Sequence, residues 1–247
     1  YSYRLNLLNY LNLSNIIILL ASPISAIVTG FPATQIVGGH DAPEGKYPYQ
    51  VSILHNFSPS CGGSIINSRF ILTAAHCIYK LLDNKFFVAG TNFYAPGRGG
   101  VTYNAESLIW HSGYNQYRNL NDIGLIQVDK EIIFSSKIQP IALAETYYVA
   151  AGEIVALTGW GTTSYRCLLR KYHHVQLEER LQLRTRLFII LSFLFANFYL
   201  LQGDSGSPVV LNGVQIGIVS YGQPCALGYP DVHTRVSPYG SWITLKM

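Results

Sequence analysis

Charge is scarce in this chain: Asp, Glu, Lys and Arg make up 12% of its 247 residues, about half the usual quarter. A sequence so poor in charge and 49% hydrophobic is neither intrinsically disordered nor a coiled coil. Cysteine is scarce too. Four are too few for a miniprotein built on disulfides, but they suit a secreted domain with one or two bridges. Long apolar runs are missing: neither 16–21 nor the uncharged stretch 187–201 reaches the roughly twenty residues of a membrane span. Residues 165–201 lack both Gly and Pro, in a chain that has 22 glycines. The length suits one large domain or two small ones, with ample chain for a substantial core.

The N-terminal part has the order of a secretory signal peptide: Arg4, then Ile16-Ile17-Ile18-Leu19-Leu20-Ala21, then Ser22, Ser25 and Ala26. We expect a signal over 1–26, an activation propeptide over 27–35 and a single domain over 36–247. Within that domain short β-rich runs alternate with turn residues. Strands are expected at 49–54, 63–66, 69–73, 86–89, 107–110, 122–128, 154–157, 208–211 and 215–220, with a short helix at 237–245. Many short strands separated by Gly, Pro, Asn and Asp point to an all-β sandwich or barrel. Residues 165–201 read locally as helix, charged first and apolar afterwards.

Three short motifs carry chemistry. They are Leu72-Thr73-Ala74-Ala75-His76-Cys77, Asn121-Asp122-Ile123-Gly124-Leu125-Ile126 and Gly203-Asp204-Ser205-Gly206-Ser207-Pro208. His, Asp, Ser is one of the known orders of a nucleophilic triad. A serine hydroxyl is a poor nucleophile at neutral pH. It needs a histidine to take its proton and a buried carboxylate to hold the other ring nitrogen. Ser205, His76 and Asp122 can fill those roles, and the N–H groups of Gly203 and Ser205 can serve a developing oxyanion. No His, Cys or Asp cluster has zinc-ligand spacing, so neither a metal nor a cofactor is expected.

With these motifs go Ile36-Val37-Gly38-Gly39, Cys61 and Cys77 on either side of His76, Thr158-Gly159-Trp160-Gly161, Ser220-Tyr221-Gly222, and Arg235-Val236 followed by Trp242. Together they resemble the chymotrypsin family of secreted serine endopeptidases, over 36–161 and 202–242. The Lys46-Tyr47-Pro48-Tyr49-Gln50-Val51-Ser52 run and the Gly-Asp-Ser-Gly-Ser-Pro variant are similar to the insect digestive type. The resemblance implies two six-stranded Greek-key β-barrels with the site between them. It implies a monomeric zymogen that acts on protein or peptide substrates after cleavage by an activating protease. It also implies that Ile36 becomes the new N-terminus and pairs with Asp204, and that Cys61 and Cys77 are bridged. Ser220 would support Asp122, Ser220 and Gly222 would line the substrate backbone, and Asp231 would stand at the wall of the specificity pocket.

The pattern breaks in two places. Gln35 stands before Ile36, where the family has Arg or Lys. Residues 165–201 match nothing in it, so the second barrel is expected to be incomplete or disrupted. Tyr199 falls at the pocket base, and Leu201 falls where Cys225 should find its partner. Cys167 is left over, and whether it pairs with Cys225 stays open. Three readings of the stretch stand: a translated intron, which the abrupt loss and recovery of the pattern favours, a divergent insert, or a helix for a membrane or partner. The stretch also holds six Lys and Arg against two Asp and Glu, whereas the remainder holds eleven of each. The net charge of +4 therefore belongs to this stretch and does not point to a nucleic-acid partner.

Overall fold

The computed structural model describes residues 40–56, 58–80, 85–93, 99–145, 153–160, 175–183, 188–191, 204–222 and 231–247. The expected signal and propeptide lie outside these residues, as do Gln35, Ile36, Cys167, Tyr199, Gly203 and Cys225.

After the two-residue β1 (His40–Asp41) come the strands of a closed barrel. They are β2 (Gln50–His55), β3 (Ser58–Ile65), β4 (Phe70–Thr73), β5 (Lys85–Ala89), β6 (Val101–Trp110) and β7 (Gly124–Val128), paired in the order β2-β3-β4-β7-β6-β5. The Phe-Ile-Leu-Thr of β4 is buried at every position, and β7 at all but Gln127. A strand flanked on both sides in a closed barrel has little polar surface to offer, so an unbroken apolar run suits it. Ile53, Ile65, Ile71, Leu72, Leu125 and Ile126 are fully buried there, each worth about 1.5–3 kcal/mol against exposure. The rings of Phe87 and Tyr103 stack within the same core, with centroids 5.4 Å apart.

The second half is an eight-stranded antiparallel sheet with one parallel partner. It comprises β8 (Ala142–Leu143), β9 (Ile154–Gly159), β10 (Val175–Leu183), β11 (Phe188–Leu191), β12 (Pro208–Leu211), β13 (Val214–Tyr221) and β14 (Asp231–Arg235), together with β1. Its order is β1-β10-β11-β14-β13-β12-β9, with β8 beside β13, and it curls until β10 also pairs with β9. This is the expected all-β double barrel with an incomplete second half.

The helical reading of 165–201 is corrected wherever that stretch is described, since Val175–Leu183 and Phe188–Leu191 are strands. Val-Gln-Leu-Glu-Glu-Arg-Leu-Gln-Leu alternates apolar and polar residues at period two except at Glu179, which is a strand signal. The backbone of β10 finds a partner on each side. Its register runs from Val175 opposite Gly159 to Arg180 opposite Ile154 on β9, and from Leu181 opposite Leu191 to Leu183 opposite Ile189 on β11. Tertiary pairing thus outweighs a local composition without Gly or Pro.

A 3-10 turn at Ser237–Tyr239 leads into α1 (Gly240–Lys246), where the sequence places its short helix. Tyr239 and Ile243 join the buried core. No described helix is long and apolar enough to cross a membrane.

The two halves are joined by buried side chains that hydrogen-bond across the seam. The Thr158 hydroxyl donates to Gln50 Oε1 at 2.5 Å, and Gln50 Nε2 donates to Ser207 Oγ at 3.2 Å. The Ser64 hydroxyl donates to Gln215 Oε1 at 2.6 Å, whose Nε2 in turn donates to the Gly217 carbonyl at 3.1 Å. Each such bond contributes only about 1 kcal/mol net, but breaking one strands a buried polar group at a cost of about 1–3 kcal/mol. The seam is therefore specific in register.

Candidate active site

Asp122 lies just before β7, after an Asn121 whose φ of 53° is left-handed. Asn tolerates that region better than most residues. Asn121 is held from both ends: its Nδ2 donates to the Gly113 carbonyl at 2.8 Å, and its Oδ1 accepts from the Tyr239 hydroxyl at 2.9 Å. The Asp122 side chain is completely buried.

A buried carboxylate is tolerated only when donors surround it. Oδ1 accepts the backbone N–H of His76 at 2.9 Å. Oδ2 takes the His76 ring at Nδ1, 2.8 Å away, and the Ser220 hydroxyl at 2.6 Å. The Thr234 hydroxyl donates to the Asp122 carbonyl at 2.9 Å. A carboxylate only accepts, so its contact with Nδ1 puts a ring proton there, and in the neutral ring Nε2 is then the bare acceptor. The His76 side chain keeps 29% of its surface exposed. The field of this carboxylate reaches two phenols. Burial, and after it the Asp122 charge, pushes Tyr239 up to about 12. Tyr114 is likewise pushed up to about 12 by burial, then by Asp122 and Tyr79.

His76 rides on a 3-10 turn, Ala75–Cys77, that is bridged to β3 by the Cys61–Cys77 disulfide. A bridge closing a loop of this size stabilises by about 3 kcal/mol. Both sulfurs and a ligating nitrogen of His76 lie within 4.8 Å of one another. Sulfur binds zinc as thiolate, so the disulfide removes this cluster as a metal site.

Ser205 occupies the turn before β12 and is packed against the first barrel. Its carbonyl accepts the Gly62 N–H at 2.7 Å and lies 3.6 Å from Cys77 Sγ. The next residue, Gly206, has a φ of +82° and donates its N–H to the Val219 carbonyl at 2.8 Å. A Cβ on Gly206 would fall 2.2 Å from Thr73 Oγ1 and 2.5 Å from the Gly62 carbonyl oxygen. The serine turn thus meets the strand ends from which the His76 turn springs. Among the described residues no hydrogen bond joins the Ser205 hydroxyl to the His76 ring, and such contacts tighten when substrate binds. Asp204 is buried, with its carboxylate close to Gly159.

Ser220 stands at a register shift between Val219 and Tyr221 on β13. Beyond it, Gly222 meets Asp231, the buried first residue of β14: a Cβ on Gly222 would fall 1.7 Å from Asp231 Oδ1. The structure therefore brings together His76, Asp122, Ser220 and the backbone of Ser205, and separately Gly222 with Asp231. Gly203 and Ile36 lie outside the described residues. Sequence reasoning missed Thr234, the Asn121–Tyr239 clamp and the Gln50–Ser207 bridge. Asn121 carried a signal, a left-handed-tolerant residue beside a candidate carboxylate, whereas Thr234 acts through a backbone carbonyl and has no motif of its own.

The family model described as Trypsin matches residues 36–243 and spans the stretch where the motif resemblance lapses. Chymotrypsin-2 of Vespa crabro is 42% identical over 224 residues, covering 84% of this chain and 98% of that protein. Trypsin II-P29 of Gallus gallus is 36% identical over 225 residues, covering 85% and 88%. Trypsin delta of Drosophila melanogaster is 34% identical over 223 residues, covering 85% and 87%.

Proposed function

The chain belongs to the trypsin family of serine proteases, and from that premise we propose that it is a secreted endopeptidase, made as a zymogen, with His76, Asp122 and Ser205 as its triad. Ser205 Oγ attacks the scissile carbonyl while His76 Nε2 takes its proton. The resulting imidazolium is stabilised by Asp122 and hands the proton to the leaving amine, and water then hydrolyses the acyl-enzyme by the same relay. The N–H groups of Gly203 and Ser205 hold the oxyanion. One observation carries this reading: the fully buried Asp122 carboxylate, held 2.8 Å from His76 Nδ1 and backed by Ser220. A carboxylate placed for fold alone has no need of an adjacent, partly exposed imidazole. In the zymogen reading, cleavage between Gln35 and Ile36 frees an ammonium that pairs with Asp204, and the burial of Asp204 supports it.

Labelling the full, activated chain with a serine-directed fluorophosphonate tests the proposal. The chain should label, and Ser205→Ala should not. An activated chain that folds but stays unlabelled leaves the second reading as a non-catalytic homologue, and a chain that does not fold leaves it as a misfolded one. That reading is favoured by Tyr199 standing where the family's pocket base belongs.

For specificity we propose large apolar or aromatic side chains before the scissile bond, in keeping with the 42% identity to the wasp chymotrypsin-2. Asp231 extends this preference toward Arg and Lys, because a buried carboxylate against Gly222 attracts a cation. Asp231→Gly should lower the Arg-over-Tyr ratio of kcat/KM by tenfold or more on matched peptides. An unchanged ratio would remove Asp231 from the pocket.

A further inference from the structure

Three hydroxyls from the C-terminal part of the chain converge on two neighbouring residues of the first barrel. Ser220 bonds the Asp122 carboxylate, Thr234 bonds the Asp122 carbonyl, and Tyr239 bonds the side chain of Asn121. The first two touch Asp122 itself. The third acts one residue upstream, and the proposed chemistry does not use it. Asp122 depends on such flanking contacts because the strand β7 begins only at Gly124.

Asn121 is left-handed, a conformation that a residue with a side chain keeps only where its surroundings impose it. Here they form a closed ring. Asn121 Nδ2 donates to the Gly113 carbonyl at 2.8 Å, and the Gly113 N–H donates to His111 Nδ1 at 3.1 Å. The His111 ring meets the Tyr239 ring edge to face at 5.4 Å, and the Tyr239 hydroxyl returns to Asn121 Oδ1 at 2.9 Å. The Gly113 carbonyl can only accept, which fixes the amide with Oδ1 toward the phenol. Burial, and after it the Asp122 charge, pushes Tyr239 up to about 12, so the phenol stays a donor at any working pH. Tyr239 is buried at the end of the 3-10 turn that leads into α1, and Trp242 of that helix lies 5.4 Å from the same His111 ring. A turn of the peptide between Asn121 and Asp122 would swing the carboxylate away from His76 Nδ1. Rates fall steeply when a reacting group is misplaced by about 1 Å.

We infer that Tyr239 is a positioning residue for the triad: through Asn121, its hydroxyl fixes the backbone that aims the Asp122 carboxylate at His76. This rests on the triad reading made above. The C-terminal turn therefore bears on turnover and not on stability alone.

Tyr239→Phe in the full activated chain removes the hydroxyl and little else. It should lower kcat by about tenfold while KM stays within about twofold, the pattern of a group that acts only on the transition state. The proton between His76 Nδ1 and Asp122, followed by NMR at neutral pH as the most downfield ring N–H, should move upfield or broaden. Asn121→Gly keeps the left-handed backbone but removes the clamp, and should lower kcat in the same way. Both variants break one shared bond, so the double variant should be no slower than Asn121→Gly alone. Ile243→Val, which trims the same helix away from the clamp, should lower the unfolding temperature and leave kcat and the resonance unchanged. Losses that multiply in the double variant would overturn the inference. So would an unchanged kcat and resonance in Tyr239→Phe, or an equal loss of kcat in Ile243→Val. A chain that cleaves no peptide, yet loses the resonance in Tyr239→Phe, would uphold the clamp while sinking the peptidase reading.

Discussion

Asp122→Asn should lower kcat by about 10⁴ and leave KM within a few-fold. The size of the loss follows from the hydrogen bonds of the buried carboxylate. Asn keeps the shape of Asp, and one amide oxygen can still accept the His76 backbone N–H, now 2.9 Å from Oδ1. The other position becomes an NH₂ facing His76 Nδ1 and the Ser220 hydroxyl, which today lie 2.8 and 2.6 Å from Oδ2. An amide N–H cannot accept from the ring. Nδ1 must turn into the bare nitrogen, so the proton moves to Nε2. His76 then presents a donor to Ser205 where an acceptor is needed, and the imidazolium formed during attack loses its counter-charge. The proposed substrate-backbone contacts along 220–222 are untouched, which is why KM should hold. Steady-state kinetics on the activated variant, with active sites counted by burst titration, measure the effect. A loss below tenfold would mean that Asp122 does not set the tautomer.

Gly206→Ala should cost about 3–5 kcal/mol, the sum of left-handed strain and a backbone collision. Unfolding should fall by on the order of 10 °C for a chain of this size, and peptidase activity should be lost. The φ of +82° is the smaller part. The larger is the Gly62 carbonyl oxygen, 2.5 Å from where the new methyl would sit. Thr73 Oγ1, at 2.2 Å, can rotate away only by giving up its 2.8 Å bond to the same carbonyl. The serine turn has to lift off β3, breaking the 2.7 Å bond from Gly62 to the Ser205 carbonyl. Gly213→Ala is the control. Its φ of +80° is nearly the same, but nothing lies within 4 Å of the added carbon. It should cost only the strain, about 1–2 kcal/mol, and keep activity. Thermal unfolding of both variants decides the matter, and equal losses would refute the collision.

The contact of His76 with Asp122 was legible because each lies in a contiguous motif whose residue types the chemistry dictates, and that of Ser220 with Asp122 because the family resemblance carries it. The strands of the first barrel were legible for a different reason, since apolar runs such as Phe-Ile-Leu-Thr stop at turn residues. The region of β10 misled because breakers were sought and none found, while the period-two alternation in Val-Gln-Leu-Glu-Glu-Arg-Leu-Gln-Leu went unread. Thr234, Gln50 and Gln215 were illegible in principle. Each contributes a hydrogen bond to a group distant in the chain, and no local pattern encodes that partner. The five-residue β14 was missed because Asp231, His233 and Arg235 break the apolar texture of a buried strand.

The contacts that make the site also set when it can exist. His76 and Asp122 are separated by 46 residues, Asp122 and Ser220 by 98, and the seam pairs Ser64 with Gln215 and Gln50 with Ser207 across 151 and 157. The chain must close loops of that length before any of these bonds stabilises it, and such non-local pairing folds on the slow, millisecond-to-second side. His76 and Asp122 can meet once the first barrel has closed, whereas Ser205 and Ser220 arrive only with the last third of the chain. Assembly of the proposed nucleophilic site is therefore a late product of folding. A nascent chain still lacking its C-terminal third has no assembled nucleophile, independently of any propeptide.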